Sequence, residues 1–133
     1  MCIRDSVNLY RDGLGLDPVV WRADVAGVCM AHSIDQQENG VLTHDGPAPC
    51  ALPLDCLGLR LQTGGIVFSA AGENLARGFY DPALLLQAWE LSPAHNDILI
   101  DPSWTHAGVG FREGRSPVNP VATGPWVTMN FIE

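Results

Sequence analysis

Three ionisable side chains, His44, Glu73 and His95, have the types and the surroundings of a binding or reactive site. Glu73 stands between Gly72 and Asn74 in an apolar stretch, so its carboxylate is expected to be partly buried and to need partners. His44 falls in the turn-rich segment LTHDGPAP, where a side chain can project into a cleft, and His95 falls in SPAH, where the chain turns. Two imidazoles and a carboxylate can hold zinc with an open coordination position, or can perform general acid–base chemistry.

Each of these residues also has a purely structural interpretation. His44 is equally typical of an exposed loop, Glu73 of a carboxylate that accepts backbone amides, and His95 of a histidine that caps the C-terminus of a helix. The sequence contains no H-E-x-x-H, paired C-x-x-C or G-x-S-x-G motif. The spacing alone therefore leaves binding, catalysis and scaffolding open. Two further histidines are assigned no role: His32 is predicted to be a buried core residue, and His106 to lie just before a strand.

Helical periodicity and end signals predict the elements that must position these residues. The segment VNLYRDGLG is typical of a helix end that is stopped by Gly13 and Gly15. A second, amphipathic helix is predicted to end at Asn39-Gly40. The predicted apolar stripe of this second helix consists of Trp21, Val25, Val28, Cys29 and His32.

A third helix is predicted to begin at Asp81-Pro82, because aspartate caps helix N-termini and proline is favoured at the first helical position. Pro93 would break this helix if the helix ran much further, since proline breaks a helix interior. The predicted buried face of the third helix consists of Leu84, Leu85, Ala88 and Trp89.

The remaining segments predict a loop region and three strands. Residues 41–65 are rich in proline and glycine and are expected to form a loop with one short helical piece. The β-branched and aromatic run in GIVFSAAGENLARG predicts a strand that enters a corner at 72–74. THAGVGF and PWVTMNFIE predict two further strands, joined by the loop REGRSPVNPVATG. Helices followed by antiparallel strands predict an α+β fold in which helices cover a small sheet.

Composition and charge exclude several classes of protein. The chain has 133 residues, of which 47% are hydrophobic and 17% charged, so it is expected to fold as one domain with its own core. Its net charge is −8 and it has no basic stripe with interleaved aromatics, which argues against nucleic acid as a partner. No apolar run approaches eighteen residues, so no transmembrane segment is predicted.

The first six residues and the cysteines need separate treatment. Residues 1–6, MCIRDS, are what a sequencing-library transposase adapter encodes, so they are interpreted as an adapter artefact. Residues 7–133 are then a single domain truncated at its N-terminus, with any signal peptide lost. Cys29 is predicted to be a buried thiol. Cys50 and Cys56 flank a five-residue loop and are expected to form a disulfide if the protein is exported, the alternative being two free thiols.

The ordered motifs resemble the CAP superfamily of cysteine-rich secretory, antigen 5 and pathogenesis-related proteins. The matching elements are VNLYR near the start, a histidine at His44, GENLARG at 72–78, AW..SPAHN.IL at 88–99, TH.GVGF at 105–111 and W…NF at 126–131. They cover almost the whole chain in the family's order. The sequence pattern SPAHNDIL…P..TH.GVG is similar to that of the bacterial branch of the family.

The resemblance implies an α-β-α sandwich whose central cleft is lined by two histidines and two acidic residues. Carried over by position, the histidines are His44 and His95, and one acid is Glu73. The second acid corresponds to Ser92, a departure from the family pattern. Glu90 is a poor substitute, because it lies about 200° from Ser92 around a helix.

This departure favours binding over catalysis. We therefore expect an exported CAP domain, extracellular or in the cell envelope and monomeric, that acts as a binding or interaction module. The resemblance implies that zinc is held by His44 and His95, with Glu73 in the cleft and with Asn74 and Ser92 orienting the ligands by hydrogen bonds. It also implies a lipid, sterol, protein or cell-wall partner.

Two alternatives remain open at this point. In the first, the domain is a metal-assisted hydrolase, a peptidase or an esterase, in which the histidines hold zinc and Glu73 activates water; Glu73 and His95 would then be the catalytic residues. In the second, the remnant of the tetrad only stabilises the fold.

Overall fold

The structure is a computed structural model that describes residues 2–46, 50 and 55–133. Its helices are α1 (Ile3–Gly13), α2 (Ala23–Asn39), α3 (Cys56–Thr63), α4 (Pro82–Glu90) and α5 (Pro93–Leu99). Its strands are β1 (Val20–Trp21), β2 (Ala71–Arg77), β3 (His106–Arg112) and β4 (Trp126–Ile132). None of the helices in these ranges combines the length and the apolar character that crossing a bilayer requires.

The strands form one sheet in the order β1-β3-β4-β2, so β2 lies at an edge. The three long strands are antiparallel, and the two-residue β1 adds a parallel pairing with β3. The register places Asn130 of β4 between Glu73 of β2 and Gly108 of β3. These three residues therefore share one face of the sheet.

Helices cover both faces of the sheet, as an α-β-α sandwich requires. On one face α1, α4 and α5 pack on the strands, and a buried cluster of this layer includes Val7, Leu85, Trp89, Leu99 and Phe131. On the other face lie α2 and α3, and the buried cluster of that layer includes Val25, Cys29, Leu57, Leu61 and Ile132. The predicted α+β class and the sandwich are confirmed.

Two glycines allow α2 to lie directly on β3. A Cβ atom added to Gly108 would come 2.3 Å from the backbone nitrogen of Ala26, and one added to Gly110 would come 2.3 Å from that of Met30. Such contacts are impossible for a larger residue without a shift of the helix. The close packing fixes α2, and α2 in turn holds the segment that carries His44.

Several predicted helix ends are confirmed. The second helix ends at Gly40, which adopts the left-handed conformation at φ 70°. Asp81 caps α4, since its carboxylate accepts a hydrogen bond from the Ala83 amide at 2.8 Å. Cys29 is a buried thiol, and burial raises its pKa to about 12. Cys50 and Cys56 form the expected disulfide, with Cα atoms 5.2 Å apart.

Two predicted assignments around the helices were wrong. Trp21 lies in β1, and α2 begins only at Ala23, because the backbone before it pairs with β3. Leu84 is 55% exposed, since α4 turns only the side of Leu85 and Trp89 towards the core.

Two assignments near the site were also wrong. Residues 72–74 do not form a corner after a strand; they lie inside β2, fully paired with β4. α4 ends at Glu90, before it reaches Pro93, and Pro93 opens α5. His95 consequently lies in the first turn of α5, so it is not a cap at a helix C-terminus.

Candidate functional site

Glu73 is a buried carboxylate with a partner on each oxygen. Its side chain is only 2% exposed, on the face of β2 that carries α2 and α3. Oε1 lies 3.0 Å from Nδ1 of His44, and Oε2 lies 2.7 Å from Nη2 of Arg60. A buried carboxylate is tolerated when it is paired in this way. The three side chains are referred to below as the Glu73 clamp.

Arg60 is the member of the clamp that the sequence reasoning missed. It lies on α3, its side chain is 17% exposed, and its guanidinium donates to Oε2 of Glu73. Its Nε and Nη1 atoms have no hydrogen-bond partner among the residues described. A usable signal was present: Asp55 before Leu57 and Leu61 has the pattern of a capped amphipathic helix, and Asp55 does accept the Gly58 amide at 2.7 Å.

His44 forms the outer side of the clamp. Its side chain is 62% exposed, and it follows α2 in a segment that α2 anchors. Because a carboxylate only accepts hydrogen bonds, Nδ1 of His44 must carry the hydrogen of this bond and donate it to Glu73. The hydrogen bond to Glu73 raises the pKa of His44 above its ordinary value. No hydrogen bond to Nε2 is found within the described part of the chain, so this atom is open to a ligand.

His32 holds the backbone beside His44. As predicted, it is a buried core histidine bonded to a neighbour: Nε2 lies 2.8 Å from the Thr43 carbonyl oxygen. The Thr43 amide donates to Oε1 of Gln36 at 3.1 Å. Two α2 side chains therefore fix the residue that precedes His44. Burial lowers the pKa of His32, which keeps its ring neutral.

His95 is positioned from the opposite face of β2. Ser92 Oγ lies 2.7 Å from Nδ1 of His95, and the Asn74 side chain donates to the His95 carbonyl oxygen at 3.1 Å. Ser92 thus orients the imidazole, whereas Asn74 holds the backbone of α5. Burial, followed by the charge of His44, lowers the pKa of His95.

The structure brings His44 and Glu73 into direct contact but does not add His95 to the same cluster. Adjacent strand residues point to opposite faces, so Glu73 turns towards α3 and Asn74 towards α5. Within residues 2–46, 50 and 55–133, no three histidine, cysteine or acidic side chains are grouped so that they could hold a metal ion.

A cavity of about 260 Å³ opens beside the clamp. Its polar lining comes from His44, Asp45, Asp55 and Glu73. Its apolar lining comes from Cys56, Leu57, Ala71, Gly72 and Ile98. His95 is not among the lining residues. The lining comes from α3, from the edge strand β2 and from Ile98 of α5, so the cavity lies across this edge of the sheet, with an apolar wall and an acidic rim.

The chain matches one protein family and several bacterial proteins. The family model described as the cysteine-rich secretory protein family, CAP, matches residues 4–131. The uncharacterized membrane protein YlbC of Bacillus subtilis (strain 168) is 32% identical over 108 residues, which are 81% of this chain and 30% of that protein. The uncharacterized protein YkwD of the same strain is 30% identical over 112 residues, 84% of this chain and 42% of that protein. The chain thus spans less than half the length of these relatives.

Solved structures support the same grouping. An extracellular protein containing an SCP domain from Bacillus anthracis str. Ames is 33% identical with a TM-score of 0.80, over 98% of this chain and 39% of that chain. An outer surface protein from Borrelia burgdorferi has a TM-score of 0.81 over 98% of this chain and 89% of its own. At 19% identity, the Borrelia protein shows only that the fold is shared.

Proposed function

The chain belongs to the cysteine-rich secretory protein (CAP) family, in its bacterial branch, and we propose that it is an exported domain that binds a ligand in the cavity beside Glu73. Export is supported by the relative of known structure from Bacillus anthracis, which is described as an extracellular protein. The Cys50–Cys56 disulfide is consistent with an oxidising compartment. In this proposal the domain is a monomer whose partner is a protein, a lipid or sterol, or a cell-wall component.

The clamped state of Glu73 is the observation that carries the proposal. A hydrolase of this design needs Glu73 to take a proton from water, yet both of its oxygens already accept hydrogen bonds, from His44 and from Arg60. Freeing either oxygen would break a contact of a buried charge. Ser92, in the place of the family's second acid, is bonded to His95 and supplies no carboxylate. The arrangement suits a rigid binding wall better than an acid–base pair.

A divalent metal, with zinc as the first candidate, is part of the proposal. His44 and His95 are each bonded through Nδ1 to an oxygen, of Glu73 and Ser92 respectively, which is how histidine ligands are commonly oriented. This leaves the Nε2 atoms as donors for the metal. Since the described residues contain no group of three candidate ligands, these two histidines would be the protein's share, and water or the partner would complete the shell. Bound zinc would supply an open coordination position to the partner.

Metal content and stability test this proposal together. After incubation with zinc and removal of the excess, the wild type is expected to retain about one zinc ion per chain. His44→Ala should lose the metal. The control His106→Ala should keep it, because the His106 side chain is bonded to no described residue other than its neighbour Thr105. A wild type that retains no zinc would refute the metal part.

A peptidase and esterase screen tests the choice between binding and hydrolysis. The wild type is expected to turn over none of the substrates. Turnover by the wild type that Glu73→Gln abolishes would replace the binding proposal by the hydrolase. Neither result depends on whether zinc is retained.

A further inference from the structure

We propose that the cavity beside the Glu73 clamp receives a lysine side chain presented by a protein or peptide partner. This inference rests on the proposed binding function and specifies its ligand. It starts from the cavity itself, whose volume of about 260 Å³ and mixed lining would accept an alkyl stem that ends in a charge.

The charges around the cavity decide the sign of the ligand. The negative charge of Glu73 is compensated by Arg60 within the clamp. Asp45 and Asp55 also line the cavity, and neither forms an ion pair with any described residue. Residues 47–49 and 51–54, which lie outside the described ranges, are proline, alanine and leucine and carry no charged side chain. Three carboxylates face one guanidinium and His44, so the rim is negative in either protonation state of His44.

The carboxylates are held where a cation could meet them. Asp55 is fixed as the N-cap of α3 through Oδ1, which leaves Oδ2 without a hydrogen bond to the described residues. Asp45 follows His44 directly, and its amide is fixed by Thr43 Oγ1 at 3.1 Å. A primary ammonium group has three donors and needs no bidentate geometry, so it suits separate carboxylates of this kind better than a guanidinium does.

The apolar wall decides the length of the stem. Leu57, Ala71 and Ile98 line the cavity next to the acidic rim. The four-carbon stem of lysine buries its methylenes on such a surface while its ammonium stays at the polar edge. An ethanolamine headgroup has a shorter stem and a phosphate that the acidic rim would repel, and an amino sugar is polar all round. The net charge of −8 would also attract a basic partner.

Two matched peptide analogues test the inference. Binding of Nα-acetyl-lysine-N-methylamide and of the uncharged Nα-acetyl-norleucine-N-methylamide would be followed by the NMR shifts of the Leu57 and Gly72 amides, with chelator present to keep metal out. The lysine compound should bind at least about fivefold more tightly than the norleucine compound. Phosphoethanolamine and glucosamine, run alongside, should bind more weakly than the lysine compound.

Charge-neutral variants locate the contact. Asp45→Asn and Asp55→Asn should each weaken lysine binding about three- to fivefold and leave norleucine binding unchanged. Asparagine also caps helices, so Asp55→Asn keeps the start of α3. Asp81→Asn is the matched control, because Asp81 caps α4 outside the cavity and the variant changes the net charge equally. It should bind lysine as the wild type does.

The outcomes separate this inference from the function on which it rests. Equal binding of the lysine and norleucine compounds would overturn the lysine ligand and leave the binding cavity standing. Tighter binding of glucosamine or phosphoethanolamine would assign the cavity to a wall or lipid ligand instead. A loss as large in Asp81→Asn as in Asp45→Asn would show attraction by net charge only. Failure of every compound to shift Leu57 and Gly72 would overturn the lysine ligand, while the proposed function would still be decided by zinc retention and by the hydrolase screen.

Discussion

Replacing Arg60 by methionine should destabilise the protein far more than an ordinary arginine substitution. The change keeps an unbranched stem of similar length but leaves the Glu73 carboxylate, 2% exposed, without its cationic partner. Removing one member of a buried ion pair costs about 3–5 kcal/mol. We expect the lower end, about 3 kcal/mol, because Arg60 is 17% exposed and His44 still donates to the other oxygen. This corresponds to a fall in Tm of about 10 °C for a chain of this size.

Urea unfolding of a double-mutant cycle measures this effect. Arg60→Met, Glu73→Gln and the double variant should show a coupling of about 2 kcal/mol or more, because the double variant no longer buries an unpaired charge. Arg22→Met is the control: Arg22 pairs with Asp24 near the surface, where the two side chains are 33% and 48% exposed, and the variant should lose less than about 1 kcal/mol. A loss in Arg60→Met no larger than in Arg22→Met, with additive effects in the cycle, would refute the clamp.

Two further predictions concern α2 and its contacts. Gly108→Ala should lose about 2 kcal/mol or more in urea unfolding, because its Cβ would meet the Ala26 backbone, whereas Gly27→Ala, with open space around it, should be neutral or stabilising; equal effects would contradict the close packing. Burial lowers the pKa of His32 in the folded protein below its ordinary value of 6.5. As the pH falls below 6.5, His32 therefore binds a proton more readily in the unfolded chain, and the free energy of unfolding should decrease. His32→Gln should reduce this acid loss; an unchanged pH dependence would contradict it.

Local signals predicted the elements whose ends depend on nearby residues. Asp81 and Pro82 predict the start of α4, and Gly40 predicts the end of α2. Both signals are local, because an N-cap and a glycine in the left-handed conformation act within one helical turn. The same local reasoning failed for Trp21, since its strand exists only through pairing with β3, which is more than eighty residues away along the chain. Edge pairing of this kind leaves no periodic pattern in a two-residue segment.

The residues of the candidate site likewise divide into those that the sequence predicts and one that depends on contacts between distant segments. His44, Glu73 and His95 were found because the order of motifs along the chain resembles a family pattern. Arg60 was missed because its role depends on α3 packing beside β2, a contact between segments that residue spacing does not encode. That Glu73 and Asn74 point to opposite faces follows only once residues 72–74 are known to lie inside β2, and the sequence predicts a corner there instead.

Two features of the cleft support the binding proposal: Ser92 at the position of the family's second acid, and the pairing of Arg60 with Glu73. With Ser92 in place of an acid, His95 is oriented by a neutral hydroxyl, and its pKa is lowered by burial. With Arg60 on Glu73, the remaining acid is held as an ion pair, and the bond to His44 raises the pKa of that histidine. A hydrolytic pair needs a free acid and a free base on either side of a substrate, whereas this cleft has one clamped side and one neutral side. One feature supplies no second carboxylate and the other pairs the remaining carboxylate with a cation, so both favour the binding proposal over hydrolysis.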